Sequence, residues 1–160
     1  MRAPTLIIGY GNPSRGDDAL GPTAIAAIER RMTPDTGSGQ IEIVTDFQLQ
    51  IEFVTDLAER QCIVFIDAAS SGAAPFSFGA LAAQTEAGTT THAMSPASLL
   101  AVYRSFYGVD APPSFLLGIR AYDFELGAPL SPGAQHNLEA ALAMLEPWLM
   151  AYGQEVPCHA

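Results

Sequence analysis

The chain contains no lysine; its seven basic side chains are all arginine, set against seventeen acidic residues. A net charge of −10 argues against nucleic acid or an anionic membrane surface as a partner, because both would repel it. Cysteine is nearly absent. Cys62 lies in an apolar run and Cys158 near the end, which is no disulfide framework and fits a reducing compartment. No apolar run approaches the ~20 residues needed to span a bilayer. The first apolar stretch breaks at Gly9, too short for a secretory leader, so the expected location is the cytoplasm. Familiar catalytic signatures are missing as well. There is no GxSxG elbow, no HExxH helix, no Walker A lysine loop and no cysteine spaced with a histidine outside the tail, which removes those mechanisms.

What is present is apolar and patterned. Nearly half the residues are hydrophobic and only 15% are charged, a globular composition in a length that suits one domain, 1–160. Apolar runs alternate with helical patterns, the mark of a layered α/β fold. Strands are expected at Thr5–Gly9, Ile41–Thr45, Cys62–Asp67, Phe76–Ala82 and Ser114–Arg120. The first, third and fifth are nearly all apolar, as central strands covered on both faces must be. Leu20, Ala24, Ile28 and Met32 recur every fourth residue and mark one helix face. Ile51 to Arg60 reads as a shorter helix. Ser95-Pro96 opens a third, lined by Leu99, Leu100, Tyr103 and Phe106 and ended by Gly108; Ser131-Pro132 opens the last, with an apolar stripe from Leu138 to Tyr152. The stripe reads as core. Segments 33–39 and 83–91 read as surface loops, the second long enough to be functional.

The most informative segment runs from Gly9 to Pro22. It follows the first strand and precedes the first helix, the corner at which open α/β sheets place ligands. Gly9 and Gly11 flank one residue and permit a tight turn. The third glycine, however, comes five residues after Gly11, and Asp17 and Asp18 stand where phosphates would need neutral amides or positive charge. Such a loop suits a metal or a proton. Adjacent residues diverge by ~100° on a helix, so one aspartate faces the crevice while the other caps the helix or orients the first. Asp67 ends the third strand and points to the same crevice, or caps a turn. His92 directly precedes the third helix; its rivals are His136, exposed on the last helix, and His159 in the tail. Asp18, Asp67 and His92 would supply two carboxylates and an imidazole, a ligand set for a divalent transition ion.

These residues resemble a known family, the [NiFe]-hydrogenase maturation endopeptidases, which trim the C-terminal extension of the hydrogenase large subunit. Gly9-Tyr10-Gly11-Asn12 with Asp17-Asp18-Ala19-Leu20-Gly21 looks like the family's opening signature, Ile66-Asp67-Ala68 like its second motif, and His92 like its histidine. Leu117-Gly118-Ile119, Phe124-Glu125 and Leu130-Ser131-Pro132 resemble its C-terminal third. The family often has glutamate where this chain has Asp18. After the second strand, Asp46-Phe47-Gln48-Leu49-Gln50 resembles the branch that serves soluble hydrogenases. The resemblance implies a three-layer α/β/α sandwich around a mixed, mostly parallel sheet of about five strands. It implies an aspartate-dependent endopeptidase, a monomer, acting on the large-subunit precursor after nickel insertion. Asp18, Asp67 and His92 would be the nickel-recognising and catalytic residues, with nickel supplied by the substrate. The metal could polarise the scissile carbonyl or activate a bound water, with a carboxylate as base. Two other readings remain: a non-cleaving chaperone of the nickel-loaded subunit, and a Rossmann-type nucleotide-binding enzyme, which the glycine spacing disfavours.

Overall fold

In the computed structural model, which describes residues 2–85 and 94–155, five strands form one mixed sheet. They are β1 (Thr5–Tyr10), β2 (Ile41–Asp46), β3 (Cys62–Ala69), β4 (Phe76–Ala80) and β5 (Ser114–Arg120), in the spatial order β2-β1-β3-β5-β4. All neighbouring pairs are parallel except β4 with β5. The three apolar runs therefore occupy the three central places, and the amphipathic β2 and β4 take the edges. Parallel strands demand crossovers, and the helices that supply them cover both faces.

Strand alternation divides the core in two. Ile7, Val64, Ile66, Leu117 and Ile119 point to one side, where α1 (Leu20–Arg31) and α4 (Pro132–Glu155) close over them. Leu6, Ile8, Ile63 and Phe65 point to the other, against a 3-10 turn at Ile51–Thr55 and α3 (Pro96–Tyr107). The result is the expected three-layer sandwich. The four-residue repeat of the first helix is its buried face: Leu20, Ala24 and Ile28 have no exposure. Ser95 Oγ accepts the Ser98 amide at 3.1 Å to start α3, and Gly108, at φ 74°, ends it in the left-handed conformation. Ser131 Oγ accepts the Ala134 amide at 3.2 Å to start α4.

Four local expectations are corrected. Ile51–Arg60 is no α-helix; a 3-10 turn ends at Thr55, and packing of Val54 and Leu57 into the second core decides its shape instead of a continuous helical stripe. Residues 33–37 form a short helix, α2 (Thr33–Gly37), where a loop was expected. The fourth strand stops at Ala80, two residues early. Phe106 is 67% exposed; the last turn of α3 carries it and Tyr107 to the surface, where their rings meet edge-on at 4.9 Å. Among the described residues, no helix is long and apolar enough to cross a membrane.

Candidate functional site

The glycine loop, the end of β3 and the segment after β5 converge at the C-terminal end of the parallel strands. Close backbone approach makes this possible. Gly21 opens α1 so near the sheet that a Cβ there would stand 2.4 Å from the Tyr10 carbonyl oxygen and 3.0 Å from that of Ile66. Gly11 sits at φ +146°, and a Cβ on it would strike the Asp18 carbonyl oxygen at 2.0 Å. Glycine is the residue that allows both the turn and the contact. The loop is pinned to the edge strand by the Gly11 amide, which donates to the Asp46 carbonyl at 3.0 Å.

The two adjacent aspartates part company within the 3-10 turn Gly16–Ala19. Asp17 is fully buried. Its Oδ2 accepts the Tyr122 amide at 2.8 Å, the Asp123 amide at 3.0 Å and the Ser131 hydroxyl at 2.7 Å, while Oδ1 accepts the Ser131 amide at 2.7 Å. Burial pushes its carboxyl up, but the donors from Ser131, Tyr122 and Asp123 outweigh that and hold it below the usual range. Asp17 thus neither caps the helix nor orients Asp18. It fastens the segment after β5 onto the glycine loop, helped by the Gly16 amide on Ala128 and the Gly127 amide on Ser14. Asp18 is half-buried on the other side, its Oδ2 accepting the Asn12 amide at 2.7 Å.

Asp67 is half-buried near the end of β3. Burial pushes its carboxyl up to about 6; bonds from the Tyr10 hydroxyl and the Ala68 amide restrain the rise, and the charge of Asp18 adds to it. Tyr10 donates its hydroxyl to Asp67 Oδ2 at 3.1 Å. Burial first, then the charges of Asp67 and Asp18, raise that phenol far above its ordinary range, so it remains a donor at every physiological pH. Asp18 and Asp67 therefore share one electrostatic environment. His92 lies outside the described residues; Met94 and Ser95, just after it, lead into α3. His136 is exposed on α4, as expected. Among the described residues no three histidine, cysteine or acidic groups cluster as a metal cage; the two carboxylates stand as a pair. Beside the glycine loop a hollow of about 270 Å³ is lined by Gly11, Pro13, Pro22, Thr45, Asp46 and Phe47.

Two members of this arrangement escaped the sequence. Tyr10 reads as the turn residue between Gly9 and Gly11, past the expected end of the first strand; β1 includes it, and the register of β1 on β3, which aligns Gly9 with Ile66, brings it level with Asp67. Ser131 reads as a helix cap, which it is, but its amide and hydroxyl also bind a carboxylate 114 residues away in sequence.

No family model matches the chain, and no curated protein does. Solved structures do. The chain is similar to the hydrogenase maturating endopeptidase HybD from E. coli, at 24% identity and a TM-score of 0.70, over 96% of this chain and 94% of that one. It is similar to the [NiFe] hydrogenase maturation protease HycI from Thermococcus kodakarensis, at 20% identity and a TM-score of 0.68, over 93% and 94%. An endopeptidase from Escherichia coli matches at 23% identity and a TM-score of 0.67, over 96% and 94%. These likenesses place the chain in the maturation-protease fold from end to end.

Proposed function

We propose that this chain is an endopeptidase that removes the C-terminal extension of a [NiFe]-hydrogenase large-subunit precursor once nickel is in place. The observation that carries the reading is the whole-length likeness to solved maturation proteases, joined to a pair of carboxylates at the sheet end where such folds present their ligands. Asp18 and Asp67, with His92, recognise the nickel that arrives inside the substrate. Carboxylate oxygen and imidazole nitrogen suit a borderline divalent ion, and three protein ligands leave positions for the substrate's own donors. The ion would polarise the scissile carbonyl or activate a water, with a carboxylate of the site serving as base. The hollow beside the glycine loop, lined by Gly11, offers an extended segment a bed next to Asp18. Asp18 disfavours a nucleotide, because its carboxylate takes the loop amide of Asn12 where a phosphate would bind.

The test is to mix the protein with a nickel-loaded or nickel-free precursor and weigh the precursor by mass spectrometry. Loss of a C-terminal peptide from the nickel-loaded form alone is expected. Asp67→Ala and His92→Ala are expected to abolish that loss with the fold intact, and normal processing by either would remove that residue from the site. Tight binding of the loaded precursor without cleavage would favour the chaperone reading.

A further inference from the structure

The two candidate carboxylates are held in the same way. In each, Oδ2 receives a donor from the three-residue segment Tyr10-Gly11-Asn12: the Tyr10 hydroxyl on Asp67 at 3.1 Å and the Asn12 amide on Asp18 at 2.7 Å. Gly11, between them, approaches Asp18 so closely that a Cβ would lie 3.3 Å from its Oδ1. The ring of Tyr10 packs in the second core with Leu6, Ile8 and Leu49, and the residue is 9% exposed. Phenylalanine would fill that slot equally well. Burying a hydroxyl is unfavourable unless it is bonded, and the bond it makes is to Asp67.

We infer that Tyr10 is a positioning residue: its hydroxyl fixes the Asp67 carboxylate in one orientation and keeps Oδ2 engaged, so that Asp67 meets an incoming cation through Oδ1 alone. The Asn12 amide does the same for Asp18, and the turn at Gly11 sets the two donors against the two carboxylates. A ligand held by an outer partner loses no rotational freedom when it binds, which is how such partners sharpen metal sites. This inference rests on the proposed role of Asp67, and the experiment separates the two.

Tyr10→Phe, Asp67→Asn and Val54→Ala are compared with the unaltered protein. Val54 belongs to the same core cluster and controls for loosened packing. The Tyr10→Phe protein is expected to fold, to show the Asp67 carboxylate rotated or in several orientations in its crystal structure, and to cleave nickel-loaded precursor with kcat lowered about tenfold at an unchanged KM. Val54→Ala is expected to change neither carboxylate nor kcat. Wild-type kcat in Tyr10→Phe, with Asp67→Asn inactive, overturns the role of Tyr10 and leaves Asp67 in place. So does an Asp67 carboxylate that keeps its orientation without the hydroxyl. Full activity in Asp67→Asn overturns the underlying reading itself.

Discussion

Asp67 and Asp17 show how one fold sets two carboxylates to opposite purposes. The Asp67 carboxyl rises from 3.8 in the unfolded chain to about 6 on folding, so the native state binds the proton more tightly than the unfolded state does. Stability therefore falls as pH rises from 4 to 6, and the full penalty applies above 6. A rise of two units corresponds to about 3 kcal/mol at most. Asp67→Asn removes the charge and keeps an oxygen for the Tyr10 hydroxyl, so in metal-free protein it is expected to raise the denaturation midpoint at pH 8. The gain should vanish near pH 4, and a variant no more stable at pH 8 would contradict the burial of that charge. Asp17 has the reverse sign. Its carboxyl lies below its unfolded value, so its contribution is present above pH 4 and is lost as the pH falls through its native value. Asp17→Asn turns an amide group toward donors and leaves buried N–H groups unpaired, a loss of about 3 kcal/mol at pH 7. Urea titrations of the two proteins should converge only in acid. Equal stability at neutral pH would mean that the segment after β5 is not held by Asp17.

At the scale of elements, the approach of α1 to the sheet is set by Gly21, where a Cβ would meet Tyr10 N at 2.8 Å as well as its carbonyl oxygen at 2.4 Å. Gly21→Ala must push the helix off the strand ends and is expected to cost about 1–3 kcal/mol in thermal unfolding, with processing impaired because Asp18 moves with the turn. Gly79→Ala, on the edge strand with nothing within 4 Å of its Cβ, is the control and should be neutral. The same contrast explains what the sequence disclosed. Elements whose pattern is local were legible: the apolar runs of β1, β3 and β5 predicted their central places, and the caps at Ser95 and Ser131 predicted where α3 and α4 begin. Asp18 was legible as a loop carboxylate and Asp67 as the acidic residue near the end of an apolar strand, although β3 runs two residues past it to Ala69. The 3-10 turn at Ile51–Thr55 was not, since its shape depends on the core it packs into. Tyr10 and the anchoring role of Asp17 were hidden for a stronger reason: their partners lie 57 and more than 100 residues away, and only strand register and loop closure bring them into reach.

For the whole molecule, the sheet order has a consequence that a single thiol can report. Cys62 opens β3, the middle strand, paired with Thr5 of β1. It is 1% exposed, and burial pushes its thiol up to about 12, so in the native state it is neither accessible nor ionised. It belongs to the core that α1 and α4 close over. To expose it, those helices must leave the sheet or the central strands must part, and either event removes the main hydrophobic contacts of that face. Labelling of Cys62 in a Cys158→Ser protein is therefore expected to run more than about a thousandfold slower than that of a free thiol. Its rate should rise with urea as steeply as global unfolding does. A labelling rate independent of urea would show instead that the N-terminal end of β3 opens by itself. The end of the sheet opposite the candidate site would then be its weak edge, and the cooperativity expected of a fold closed on both faces would not extend across it.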